Sequence, residues 1–359
     1  MFILDQKSIL SGFNKSKVIE SISLLPQQIA RGWESGSMVR SQRSLRRCRS
    51  IVVCGMGGSN LASELVTSVY RDSLSVPVLL VRDYTLPKFI GRDTLIIISS
   101  YSGSTVETLA CLREARERRA QIIVITGGGA LLKQAQTLRI PTVKLNVSDN
   151  PSKQPRYGVG VQLGALLAVL QQLQYLTINI NSLFETLNWL YDLNNQELSA
   201  DVPQSKNSAK QVAEFLALKM PLVIGADILS ANAHILSNQL NESAKSYATY
   251  HLLPEMNHHL LEGLAIPTNI SQNMCAIFLQ SSLFSPEISN RYKVTQKVFD
   301  RQKINYLTYS ISGADPLAAS LELLLWGSWV SFYLSVLHKQ QPAHIPWVDY
   351  FKRELAKMK

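Results

Sequence analysis

Residues 51–59, Ile51-Val52-Val53-Cys54-Gly55-Met56-Gly57-Gly58-Ser59, open as a continuous β-branched run and close in glycines. A parallel strand buried on both faces needs such a run, and the glycines supply its exit turn. The rhythm spreads outward from there. Residues 61–70 have helical spacing, 76–82 and 95–99 read as strands, 109–120 as a helix, 122–126 as a strand closed by Gly127-Gly128-Gly129, and 142–145 as a short strand. Upstream, Ile19, Ile22, Leu25, Ile29 and Trp33 fall near helical spacing, so an N-terminal helical segment precedes the sheet. Strand–helix alternation of this kind predicts a doubly wound parallel sheet.

The plan then repeats. An apolar helix over 161–173 follows, and the chain turns polar over 192–208. The alternation restarts with a strand at 222–225, a helix to about 246, a strand at either 268–270 or 276–279, a helix through 299, a strand at 305–308 and a strong helix over 317–337. The fold class is therefore α/β with two doubly wound αβα domains, over 1–178 and 205–359, joined by a linker or helical hairpin over 179–204. A length of 359 residues suits two domains.

Hydrophobic residues at 46% and charged residues at 17% exclude a disordered chain. The net charge of +10 favours anionic partners, and Arg40, Arg43, Arg46, Arg47 and Arg49 crowd one stretch. With no aromatic residues interleaved, that stretch reads as a solvated basic face, and no nucleic-acid partner is expected. Cys48, Cys54, Cys111 and Cys275 show no CxxC pair or metal spacing; the last three sit in apolar settings and read as core residues. No metal site is expected. Neither a secretory leader nor an uninterrupted membrane span is read, so a soluble, cytoplasmic protein is the expectation.

In open α/β sheets, ligands bind beyond the carboxyl ends of the strands. Two such ends are rich in small donors: Gly57-Gly58-Ser59-Asn60, and Ser99-Ser100-Tyr101-Ser102-Gly103-Ser104-Thr105. Helix-start N–H groups with several hydroxyls can surround a phosphate. A dinucleotide fingerprint fails because its last glycine would fall on Asn60, and no GK[ST] completes a P-loop. The plainer reading is that these serines cap helices. Two such loops in one sheet favour a monophosphate site. In the second half, Asn241, Glu242, Glu255, Asn257 and His258 are expected to cluster, and carboxylate plus imidazole is the minimum kit for moving protons at neutral pH.

With these residues in hand, the chain resembles the bifunctional phosphoglucose/phosphomannose isomerase family, built from two sugar-isomerase (SIS) domains. The resemblance rests on GMGGSN (55–60), SSYSGSTVETL (99–109), ITGGG (125–129), PSKQPRYGVG (151–160), QLNESAK (239–245), LPEMNHHLLEG (253–263), WVSFYLSVL (329–337) and FKREL (351–355). It implies isomerisation of glucose 6-phosphate, and of mannose 6-phosphate, to fructose 6-phosphate through a cis-enediol. Glu242 would be the base between C1 and C2. His258, reaching the site from a neighbouring subunit of a homodimer, and Lys352 would open the sugar ring. Gly58, Ser59, Ser100, Ser102 and Thr105 would hold the phosphate, and Arg156 would stabilise the enediolate. No metal or cofactor is implied. Several positions depart from the family pattern: Asn60, Ser104, Val106, His259, Ile235 and Ser237 in place of basic residues, Ser328 in place of Asp, and Ala343 in place of a threonine associated with accepting both C2 epimers. The competing readings are a non-catalytic sugar-phosphate binder and an amino-sugar isomerase related to glucosamine-6-phosphate synthase. The second would be expected to carry a glutaminase domain with an N-terminal cysteine, and none is read in these residues.

Overall fold

The computed structural model describes residues 2–39 and 43–358. The chain divides into two compact units, Glu20–Asp192 and Met1–Ile19 with Leu193–Lys359. It opens with helices α1 (Lys7–Phe13), α2 (Val18–Ser23) and α3 (Leu25–Ser37).

The first unit alternates β1 (Ser50–Cys54), α4 (Gly58–Val69), β2 (Val78–Val81), β3 (Thr94–Ser100), α5 (Val106–Glu117), β4 (Gln121–Thr126), α6 (Gly129–Thr137) and β5 (Thr142–Lys144), then α7 (Val159–Gln172) and α8 (Ile180–Leu193). All pairings are parallel in the order β2-β1-β3-β4-β5, with Val52 beside Ile96 and Ile96 beside Ile122. Every residue of β3 is buried, as a central strand covered on both faces requires. Val52, Cys54, Ile96, Ile98 and Val124 alternate onto one face and meet Cys111, Leu112 and Ala115 of α5. Each such aliphatic side chain contributes about 1.5–3 kcal/mol of burial. On the other side α3 lies against α7, where a Cβ at Gly164 would stand 2.7 Å from Trp33 N; only glycine permits that approach. Arg40 of the basic run lies outside the described residues; Arg46, Arg47 and Arg49 are exposed around buried Leu45 and Cys48.

The second unit repeats the plan with α9 (Ser208–Leu216), β6 (Met220–Ala226), α10 (Ser230–Glu242), β7 (Thr249–Leu253), the short helices α11 (Leu260–Gly263) and α12 (Ile270–Asn273), β8 (Met274–Gln280), α13 (Pro286–Arg301), β9 (Asn305–Ser310), α14 (Pro316–Leu337) and α15 (Pro346–Lys357). Its sheet is parallel in the order β7-β6-β8-β9. Of the two expected strands, 276–279 is the strand and 268–270 is not. β7 has no counterpart in the sequence reading. It is a half-exposed edge strand, so its apolar signal is weak. The 22-residue α14 is long and apolar enough to cross a membrane, contrary to the expectation that no stretch would be, but 94% of its most apolar window is buried in the protein. A helix apolar on every side is a core helix. Its one carboxylate, Glu322, accepts hydrogen bonds from Ser312 N (2.9 Å), Gly313 N (2.8 Å) and the Tyr309 hydroxyl (2.9 Å). Burial nonetheless holds its carboxyl above the usual range.

The opening residues group with this second unit, whereas the expected boundary counted them with the first. Leu4 is fully buried, and Asp5 accepts from Lys210 Nζ (3.0 Å) and Gln204 N (2.8 Å). Lys210 is itself 1% exposed and also donates to the carbonyls of Ala200 and Val202. An ammonium so buried must be fully hydrogen-bonded.

Candidate active site

In the first unit the strand order reverses between β1 and β3, the switch point at which such sheets open a crevice. The two hydroxyl-rich loops lie at this point and are bonded to each other. Ser59 Oγ accepts from Tyr101 N (2.9 Å), and Ser99 Oγ donates to the Ser59 carbonyl (3.2 Å). Ser100 Oγ contacts Thr105 Oγ1 (3.1 Å) and accepts from Gly103 N (3.1 Å); Ser102 Oγ accepts from Ser104 N (3.3 Å). Gly103 has φ +67, and a Cβ there would also strike the Gly128 backbone, so the turn requires glycine. Neither α4 nor α5 takes a side-chain cap at its N-terminus. The serines therefore do not act as N-caps, and the positive ends of both helices face the loops.

Arg156 belongs to the same unit and is 7% exposed. Its segment is fastened to the second loop by side chains the sequence reading did not single out. Asn150 Nδ2 donates to the Tyr101 hydroxyl (2.8 Å) and the Gln154 carbonyl (2.9 Å), and Arg156 Nη1 donates to Gln154 Oε1 (3.3 Å). Burial holds the Tyr101 phenol above its usual range, so it remains a neutral donor and acceptor. A Cβ on Gly58 would lie 3.2 Å from Arg156 N, so the first loop and the Arg156 turn are neighbours. The unit thus brings Ser59, Ser100, Thr105 and Arg156 into one assembly linked by hydrogen bonds, with Gly58 packed beside the Arg156 turn and Ser102 exposed at the rim. Asn60 adds a buried carboxamide whose oxygen and nitrogen have no partner among the described residues.

In the second unit the expected cluster divides. Glu242 is the partly buried last residue of α10, while Glu255 and His258 lie exposed on a 3-10 turn (Glu255–His258) after β7. β6 and β7 are parallel, and α10 returns between them against the strand direction. Its thirteen residues span about 20 Å. Glu242 therefore stands at the amino edge of the sheet and His258 at the carboxyl edge. This corrects the expectation that Asn241, Glu242, Glu255, Asn257 and His258 gather in one chain. Asn241 bridges α10 to β7 by donating to the Ser237 and Ala248 carbonyls (both 2.8 Å). Asn257 fixes the His258 turn by donating to Thr295 Oγ1 (2.8 Å), and buried Met256 anchors it.

Lys352 is exposed on α15, a helix with no buried residue. The departures at 235, 237 and 328 are buried: Ile235 packs in the core, Ser237 donates to the His234 carbonyl (2.8 Å), and Ser328 accepts from Gln239 Nε2 (2.8 Å). A neutral hydrogen bond thus joins α10 to α14 at Ser328. Among the described residues, no three His, Cys, Asp or Glu side chains assemble as a metal site.

Comparison with known proteins defines the class. Residues 44–146 match the SIS domain, and 205–355 match the bacterial phospho-glucose isomerase C-terminal SIS domain. A hypothetical protein from Thermus thermophilus shares the fold, with a TM-score of 0.75 at 14% identity over 99% of this chain and 93% of its own. The fold is that of a two-domain SIS protein. The bifunctional phosphoglucose/phosphomannose isomerase of Caldicellulosiruptor bescii is 30% identical over 95% of this chain and all of its own length, and that of Aquifex aeolicus is 27% identical over 88% and 93%. The chain belongs to the bifunctional phosphoglucose/phosphomannose isomerase family.

Proposed function

We propose that the protein interconverts glucose 6-phosphate and mannose 6-phosphate with fructose 6-phosphate by carrying a proton between C1 and C2 of the open-chain sugar. The observation that carries this reading is the cradle at the β1/β3 switch point, in a chain whose relatives bear that activity. Gly58, Ser59, Ser100, Ser102 and Thr105 bind the phosphate with hydroxyls, main-chain N–H groups and two helix N-termini, each charge–dipole contact contributing about 0.3–1 kcal/mol. Binding energy at the non-reacting phosphate holds the sugar for proton transfer. Glu242 takes the proton from one carbon and returns it to the other, leaving a cis-enediol between the two steps. Arg156 stabilises the negative charge on the enediolate oxygens. His258 and Lys352 move the proton between ring oxygen and hydroxyl that opens the pyranose or furanose.

The site is completed by a second copy of the chain. Glu242 and His258 occupy opposite edges of one sheet, so His258 serves the Glu242 of a partner. The outward stripe of α15 (Trp347, Phe351 and Leu355, 39–82% exposed) supports the same reading, because a twelve-residue helix that buries none of its residues is only marginally helical by itself. We place the enzyme in the cytoplasm, where a charged hexose phosphate is retained. The test is to follow purified protein with fructose 6-phosphate by NMR. Glucose 6-phosphate and mannose 6-phosphate should both form; binding without either product would leave a sugar-phosphate receptor.

A further inference from the structure

A cleft of about 410 Å³ opens beside the turn that follows Glu242, with Lys219, Lys245, Ser246, His338 and Lys339 in its wall. Its lysines suggest an anion site, but two of them are committed elsewhere. Lys219 Nζ donates to the Gln272 carbonyl (2.5 Å), and Lys245 Nζ to the carbonyls of Ser243 (3.0 Å), Gln341 (2.7 Å) and Pro342 (3.4 Å). The Lys245 contacts join two segments 96 residues apart. Ser243 follows Glu242 directly, whereas Gln341 and Pro342 lie midway along the link (338–345) from α14 to α15, the helix that carries Lys352. Lys245 has φ +54, which ends the α10 turn sharply and returns its side chain toward Ser243. His338, at the end of α14, adds a contact from Nδ1 to the Ala244 carbonyl (3.0 Å). Because α15 buries none of its own residues, this link is what ties it to the end of α10 within the chain.

We propose that Lys245 is a positioning residue for the isomerase reaction: its ammonium clamps the 341–342 link to the end of α10 and so fixes the height of Lys352 relative to Glu242. This rests on the isomerase reading above. A point charge with three donors suits three carbonyls, and a displacement of about 1 Å in a catalytic group can cost about 10²-fold in rate.

The test compares Lys245→Met, Lys245→Arg, Lys352→Ala and the Lys245→Met/Lys352→Ala double variant, with circular dichroism verifying the fold. Lys245→Met should lower kcat on closed-ring fructose 6-phosphate by about 10²-fold with KM little changed, and Lys245→Arg should recover part of that loss. In the Lys352→Ala background the same substitution should cost less than about threefold, since the group it positions is gone. Should Lys245→Met not fold, Lys245→Gln, which keeps a neutral donor, takes its place. Unchanged kcat, or a double variant losing the full product of the two single effects, overturns the clamp. A wild-type protein without isomerase activity overturns the function itself, so the two failures are distinguishable.

Discussion

The two units build the same parallel sheet but employ its ends differently. In the first, the switch point holds glycines and hydroxyls already locked to one another through Ser59–Tyr101 and Ser100–Thr105. In the second, the corresponding loops after β6 and β8 carry none of the proposed acid–base groups. Those lie at the end of α10, after the edge strand β7 and on α15. On the proposed reading the anion cradle lies wholly within one chain, while the proposed reacting groups are dispersed. A preformed cradle would cost little reorganisation on binding; dispersed groups would tie activity to assembly.

Mixing two inactive proteins would break or sharpen that contrast most strongly. Glu242→Gln and His258→Ala should each lose activity by orders of magnitude alone. Mixed in equal amounts and allowed to exchange subunits, they should recover about a quarter of the wild-type rate, because half the dimers are hybrids with one intact site of two. No recovery would place both residues in one chain's site. The cradle should respond next. Gly103→Ala adds strain of about 1–3 kcal/mol at a positive φ, so KM for fructose 6-phosphate should rise about ten- to hundredfold in steady-state assays.

The second unit's own scaffold should be sensitive at Glu322. Its removal as Glu322→Ala strands two backbone N–H groups and a phenol, and urea titration should record a loss of about 2–4 kcal/mol. The smallest effect is one of pH. Burial, and then the neighbouring charge of His259, hold His251 below its usual range. The folded chain therefore binds this proton less readily than the unfolded chain. The stability His251 contributes is present above about pH 6.5 and is lost as pH falls through its lowered value. The melting temperature should drop in that window by a degree or two more than it does in His251→Gln.

What was legible in the sequence follows from how strongly each element is buried. β1, β3 and β4 read clearly because both faces are covered, and α14 because it is apolar on every side. β7 did not, since Thr249, Tyr250 and His251 sit half-exposed at an edge; their alternation before Leu252-Leu253 was the available signal. The loops after β1 and β3 were legible as glycine–hydroxyl turns after strands. The separation of Glu242 from His258 was not legible from the residues themselves, because sequence proximity concealed a strand and a sheet's height between them; only the family resemblance implied it. The Lys245 and Asn150 fastenings were invisible for another reason: most of their partners are main-chain carbonyls, which carry no sequence mark.

The central claim is that Glu242 carries the proton between C1 and C2. Its most direct test is deuterium incorporation at C2 of glucose 6-phosphate formed from fructose 6-phosphate in deuterated water. Wild-type protein should incorporate label, and Glu242→Gln should do so slower by about 10²–10⁴-fold while still binding fructose 6-phosphate. Incorporation at the wild-type rate in Glu242→Gln would contradict the account.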